Sequence, residues 1–500
     1  MKFGRESGIL MHPTSLPSKF GIGELGSEAY GFVDFLASSR QRLWQILPLG
    51  PVGYGESPYQ CFSAFAGNTM LISIERLIED KLLFHEDIDA LPDFDVRLVE
   101  FEKVKAFKSE LLRKAFNRFE AVNAGEDYNR FLEENNYWLD EFSFFMALKE
   151  HFGGAAWNLW EKEIAFRNAK MMKYYRNRLS GEIEYQRFLQ YMFFSQWKLL
   201  KAYANNKGIK IIGDLPIFIS YDSSDAWSQS HLFELDEEGN PAKIAGVPPD
   251  YFSETGQLWG NPHYKWNEME KDGFKWWRDR FKLLLQMVDI IRIDHFRGFE
   301  SYWEIPAGEK TAEKGRWVKA PGRKLFQTLR DCYGDMPIIV EDLGFITREV
   351  EELKNEFGFP GMKILQFTFD EPLEENSVVY TGTHDNDTTV GWYMKVKIKN
   401  PEVENALKKY FNISGEIDEK ALCWILIEAA LSSKANTEVI PMQDLLCLGS
   451  EARMNIPNTI GGKNWGWRLE KRLLTPELAQ KLAELSAQYG RNKKSFGEFP

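Results

Sequence analysis

Val288-Asp-Ile-Ile-Arg-Ile-Asp294 runs directly into His295-Phe-Arg-Gly298, and a β-branched run of that length stopped by polar turn residues reads as a buried parallel strand. Side chains alternate faces along a strand, so Arg292 and Asp294 point to the same side. Two other runs end the same way. Met336-Pro-Ile-Ile-Val-Glu341 meets Asp-Leu-Gly, and Val378-Val-Tyr-Thr-Gly-Thr-His-Asp385 meets Asn-Asp-Thr-Thr. Further strand candidates are Ile9–Met11, Leu43–Pro48, Ile209–Asp214, Met362–Thr368 and Val439–Gln443. That makes eight, the number a closed β/α barrel needs, and helical patterns such as 274–287, 348–357 and 420–431 lie between most of them. Alternating strands and helices select a parallel sheet, so the fold class expected is α/β, a (β/α)8 TIM barrel. Gly358 is placed to stop the 348–357 helix.

Insertions interrupt the alternation. Residues 1–83 hold the start of the barrel, 84–205 form a mainly helical insertion, and 206–500 carry the remaining strands. Within the insertion, Leu98–Ala121 reads as one long amphipathic helix. A second insertion, 217–266, is expected to be loop-like. Its stretch Gly246–Pro262 shows neither a helix nor a strand period and suggests a functional lid. The chain ends on helix-like sequence, Thr475 to Tyr489, with no carboxyl-terminal β-sandwich expected.

Composition narrows the function classes. A formal net charge of −12 argues against nucleic acid or an anionic lipid surface as partner. The four cysteines, Cys61, Cys332, Cys423 and Cys447, are far apart and show no metal-ligand spacing, which reads as reduced thiols in a cytoplasmic protein. No apolar stretch is long enough to span a bilayer, and neither a cofactor nor a metal is expected. Aromatic residues make up 14% of the chain. Most belong to a core, but a minority sit with Gly, Pro and Asn in loops.

Acidic groups on several strand ends of one barrel rim are the arrangement of a β/α-barrel active site. Two facing carboxyls can cleave a glycosidic bond while a third holds the sugar. Arg292 would keep Asp294 ionised and oriented, as a nucleophile requires, although Arg-x-Asp also suits a structural ion pair. Glu341, after three β-branched residues and before Asp342, fits an acid whose pKa is raised by apolar surroundings or a neighbouring carboxylate. His384 and Asp385 offer hydrogen bonds suited to sugar hydroxyls, or form a polar turn that happens to be charged. Asp214 is either a fourth wall of the site or a turn cap.

Longer motifs then carry a family resemblance. They are Gly8-Ile-Leu-Met-His-Pro-Thr-Ser-Leu-Pro17, Gly55-Glu-Ser-Pro-Tyr-Gln-Cys-Phe-Ser-Ala-Phe-Ala-Gly-Asn68, Gly213-Asp-Leu-Pro-Ile-Phe218 and the 246–262 stretch. Arg292–Gly298, Val340–Gly344, Thr381–Asp387, Arg453–Asn458 and Asn464–Arg468 continue the series. Over essentially its whole length the chain resembles the amylomaltases, 4-α-glucanotransferases allied to the α-amylase superfamily. The resemblance implies Asp294 as nucleophile, Glu341 as general acid/base and Asp385 as transition-state stabiliser. It implies that Arg292, His384 and Asp214 hold the transferred sugar, and that Tyr59, Gln257 and Trp259 border neighbouring subsites. Maltooligosaccharides and α-1,4-glucans would be donor and acceptor. Other readings of the same residues are a hydrolytic or cyclising α-glucan enzyme, a metal-dependent barrel hydrolase using Asp214, Asp294, Glu341 and His384, and a non-catalytic glucan-binding protein.

Overall fold

The computed structural model describes residues 3–121, 125–249 and 253–491. Residues 250–252 of the expected lid and the terminal 492–500 lie outside the described set. Twelve strands are numbered here in chain order: β1 (Glu6–Leu10), β2 (Leu43–Gln45), β3 (Lys210–Pro216), β4 (Lys243–Val247), β5 (Gln257–Pro262) and β6 (Ile290–Asp294). They continue as β7 (Ser301–Pro306), β8 (Arg316–Lys319), β9 (Ile338–Val340), β10 (Gly361–Ile364), β11 (Ser377–Tyr380) and β12 (Thr437–Pro441). Eight of them close a barrel in the order β1-β12-β11-β10-β9-β6-β3-β2, and every pairing within it is parallel.

Each barrel strand is short and built from Ile, Val, Leu or an aromatic, because both of its faces are buried. Some of the polar exceptions meet inside the barrel. Asp214 is the register partner of Arg292 across β3 and β6, and the Tyr380 hydroxyl donates to Gln45 Oε1 at 2.8 Å. The barrel interior therefore carries polar side chains beneath its mouth. Helices cover the outside, and the 348–357 helix does end on Gly358, which takes the left-handed conformation at φ 70°.

Between β2 and β3 the chain is largely helical, with long helices Phe101–Ala121, Glu126–His151 and Ser180–Asn206. Their shared face is aromatic: Phe116, Phe119, Tyr128 and Phe188 meet at centroid distances of 4.9 to 5.5 Å. Lys108 is wholly buried on the first of these helices; it pairs with Glu24 and donates to Ile72 O at 2.8 Å, tying the insertion to the barrel.

Two sequence expectations need correction. The 217–266 segment is not simply loop-like: β4 and β5 pair antiparallel there, and with β7 and β8 they form a four-stranded sheet in the order β5-β4-β7-β8. The pattern is hidden in sequence because the register shifts between Ile244 and Gly246, which breaks the inside–outside alternation. The partner strands β7 and β8 lie beyond β6 and were unassigned. The run 362–368 is also strand only as far as Ile364, after which Leu365–Thr368 makes a helical turn. Among the described residues no helix is long and apolar enough to cross a membrane.

Candidate active site

The carboxyl ends of the barrel strands bring the predicted residues together. Asp294 is the last residue of β6, Glu341 follows β9 directly, Asp214 lies in β3, and His384 and Asp385 stand on the turn after β11. Arg292 is the hub. Its guanidinium, 2% exposed, donates through Nη1 to Asp214 and to Asp294 Oδ1 (3.3 Å), and through Nη2 to Glu341 Oε2 (2.9 Å). One cation thus serves three carboxyls in a buried pit.

Asp294 and Glu341 hydrogen-bond to each other, each with about a fifth of its side chain (23% and 22%) open to the mouth. Two carboxyls in contact out of bulk water cannot both ionise, so the pair keeps one proton. The two acids are pushed in opposite directions, against what the sequence led one to expect. Burial and then the neighbouring Glu341 charge push Asp294 well above the usual aspartate range. Burial also pushes Glu341 up, but Arg292, the hydrogen bond with Asp294 and the His295 N–H (3.0 Å) outweigh it and hold Glu341 low. Asp342 does not act on Glu341 as the sequence suggested. Its carboxylate turns away to Lys354 (2.6 Å) and the Met362 N–H (2.7 Å), in a space that exists because residue 361 is glycine; a Cβ there would lie 2.1 Å from Asp342 Oδ2.

His384 and Asp385 form the opposite wall. The Tyr59 hydroxyl donates its one proton to Asp214 Oδ2 (2.8 Å), so its 2.9 Å contact with His384 Nε2 requires a proton on that nitrogen. The same nitrogen is 3.3 Å from Asp385 Oδ2, and the Tyr59 and His384 rings stack at 5.3 Å. Asn455 Nδ2 donates to Asp385 Oδ1 at 2.7 Å, and Arg453 to the Asp385 carbonyl. Burial would raise Asp385, but His384 and Asn455 overcome it and bring its pKa down to about 2, so it is an anion throughout the working pH range. Its side chain remains 46% exposed and faces the mouth.

Gln257 and Trp259 lie on β5 and not on an unstructured lid. Trp259 Nε1 donates to Gln257 Oε1 (3.1 Å), and its ring meets the His295 ring edge-on at 4.9 Å. Several site residues went unread. Asn455 and Arg453 orient Asp385, the Trp465 ring flanks both Tyr59 (5.8 Å) and His384 (6.0 Å), and the His295 N–H reaches Glu341 because His295 takes φ 48°. His12 follows β1, and burial and then His384 bring its pKa down to about 3, so it is neutral above that pH. The motifs 8–17, 292–298, 453–458 and 464–468 contained these residues, but no strand period pointed their side chains at the site.

A sequence profile of the 4-alpha-glucanotransferases matches residues 11–475. The chain belongs to the 4-α-glucanotransferase family. The 4-alpha-glucanotransferase of Synechocystis sp. is 48% identical over 97% of this chain and 98% of its own length. That of Thermus thermophilus is 46% identical over 97% and 99%. Among solved structures, the amylomaltase of Streptococcus agalactiae, determined in complex with acarbose, superposes with a TM-score of 0.92 at 41% identity, covering 98% of this chain and 100% of that one. The transferase class and the barrel expected from sequence both stand with this membership.

Proposed function

We propose that this 4-α-glucanotransferase moves α-1,4-glucan segments between maltooligosaccharides by retaining double displacement, with Asp294 as nucleophile, Glu341 as acid/base and Asp385 as stabiliser of the oxocarbenium-like transition state. The observation that carries the reading is that Asp294 and Glu341 accept from Nη1 and Nη2 of the one Arg292 guanidinium (3.3 and 2.9 Å) and bond to each other. Inverting enzymes hold their carboxyls roughly 6.5–9.5 Å apart to admit a water, whereas retaining pairs sit at about 5–5.5 Å. A touching pair falls on the retaining side.

The proton shared by the pair supplies the first step. A sugar ring entering between the carboxyls breaks their hydrogen bond, and the shared proton leaves Asp294 on Glu341. Asp294, now an anion beside Arg292, attacks the anomeric carbon while Glu341 protonates the departing glycosidic oxygen. The β-glucosyl ester on Asp294 is then attacked by the 4-hydroxyl of an acceptor glucan, which gives its proton to Glu341 and restores the α-1,4 bond. Asp385 stays ionised beside the cationic ring in both transition states. Asp214, Arg292 and His384 hold the transferred glucose; Tyr59, Gln257 and Trp259 border the adjoining subsites. Water at ~55 M loses to the acceptor because a pre-positioned sugar is worth ~7–11 kcal/mol in effective molarity.

The test is a fluorinated glycosyl fluoride that slows the second step, followed by peptide mass mapping. The sugar ester is expected on Asp294; an adduct on Glu341 or Asp385 overturns the assignment. In a parallel maltotriose digest, glucose plus longer maltodextrins marks transfer, while glucose with maltose alone would mark hydrolysis.

A further inference from the structure

Two of the four cysteines meet behind the active site. Cys423 lies buried in the helix Glu419–Ser432, and Cys447 follows the helical turn Met442–Leu445 in a left-handed conformation at φ 49°. Cys423 Sγ and the Cys447 N–H both donate to the Asp444 carbonyl (3.0 and 2.9 Å), and Cys447 Sγ donates to the Lys420 carbonyl (3.8 Å) on the turn before Cys423, so the two side chains are neighbours. Cys447 is partly open to solvent, and its proton is loosened by the contact with Cys423 and by Lys481 and Lys420 nearby, against burial and Asp444. A solvent-reachable, acidified thiol beside a second thiol is the arrangement of an attacking and a resolving cysteine. Cys61 differs sharply: burial pushes its thiol up to about 12.

The pair is wired to the site through Asp444. Cys423 Sγ donates to the Asp444 carbonyl at 3.0 Å. The Asp444 carboxylate accepts from Thr381 Oγ1 (2.6 Å), Thr389 Oγ1 (2.9 Å) and Thr389 N–H (2.6 Å). Those two threonines bracket the turn that carries His384 and Asp385.

We propose that Cys423 and Cys447 form a reversible disulfide that detunes the transferase site by displacing Asp444. The oxidant is a small-molecule disulfide. The Cys447 thiolate attacks one of its sulfurs, that S–S bond breaks, and one thiolate departs and takes a proton from water. Cys423 then gives up its proton and attacks the Cys447 sulfur, expelling the second small thiol. Two protein thiols are oxidised and one small disulfide is reduced to two thiols. A protein S–S bond needs about 2.05 Å, closer than any unbonded pair of thiols, so the segment 444–447 must move toward the 419–432 helix. The Asp444 carbonyl loses the Cys423 donor at the same time. Its carboxylate shifts with it, and the turn bearing Asp385 follows. A displacement of ~1 Å at a catalytic group can cost ~10²-fold.

The test incubates the full chain with oxidised glutathione, maps disulfides by peptide mass, and measures the initial transfer rate on maltotriose. The expected result is a 423–447 linkage, a rate at least several-fold lower, and recovery with dithiothreitol. Cys447→Ser and, separately, Cys423→Ser should keep the reduced enzyme's rate and ignore the oxidant, so one well-folded variant suffices. Cys447 recovered only as a free thiol or a glutathione adduct overturns the proposal; so does a linked pair with an unchanged rate, or equal inhibition of Cys447→Ser. The linkage is read by mass alone. Its failure leaves the roles of Asp294 and Asp385, on which only the rate arm rests, to be judged by sugar-ester mapping.

Discussion

At Arg292 a single guanidinium donates to three carboxyls, and this sharing sets the proton count of the site. The active free form carries one proton on the Asp294–Glu341 pair. Adding a second requires pH below Glu341's depressed value, and losing the first requires pH above Asp294's raised one. The kcat/KM profile should therefore be broad, with its acid limb below 4.5, the ordinary glutamate value. Arg292→Lys replaces a planar fork by a point charge that cannot serve all three acids. We expect ~10²-fold lower kcat and an acid limb moved upward, since Glu341 loses the group that holds it down. A pH profile in which kcat drops but the acid limb stays put would count against this account of the charge sharing.

The hairpin of β4 and β5 holds Trp259 over His295 by strand pairing, with Gln60 Nε2 donating to the Trp259 carbonyl at 3.3 Å. A side chain on a paired strand loses less on ordering than one on a free loop, which suits the acceptor-seating role proposed for Trp259. Trp259→Ala is expected to lower transfer more than hydrolysis of the same maltooligosaccharide, as water gains access to the glucosyl ester. Product analysis by chain length reads the ratio. Equal loss of both activities would remove the acceptor role from this hairpin.

Across the molecule, the barrel closes where β1 meets β12, joining the two ends of the chain. Arg491 is fully buried there and donates to the carbonyls of Ala430, Leu431, Ser433, Ala435 and Asn436. Arg491→Met leaves those acceptors without their partner and should cost about 3 kcal/mol in urea unfolding. Glu438 on β12 is buried in the same seam with neither carboxyl oxygen hydrogen-bonded among the described residues, and burial, eased by Arg491, lifts it to about 8. A folded-state pKa raised from 4.5 to about 8 means the folded protein holds this proton longer than the unfolded chain. Its contribution is full below about 4.5 and is lost as pH rises through about 8. Glu438→Gln cannot lose that proton, so its stability relative to the parent should climb across this window by a few kcal/mol. A difference that does not change with pH would show that Glu438 is not the group responsible.

Much of this protein is legible along the chain because the physics involved is local. A buried strand such as 290–294 is written in adjacent β-branched residues, its end in the turn chemistry that follows, and the facing of Arg292 and Asp294 in a period of two. The three carboxylates could be found for that reason, and so could the barrel. Pairing across long separations left no such mark. The β4–β7 sheet needed a partner far downstream and a bulge that erases alternation, and Asn455 reaches Asp385 from a segment with no period at all. Least visible was where the shared proton resides, because a pKa sums burial and charge over every neighbour, whatever its place in the chain. The residues named the two acids; only their packing around Arg292 and the His295 N–H set the opposite directions in which their proton affinities move.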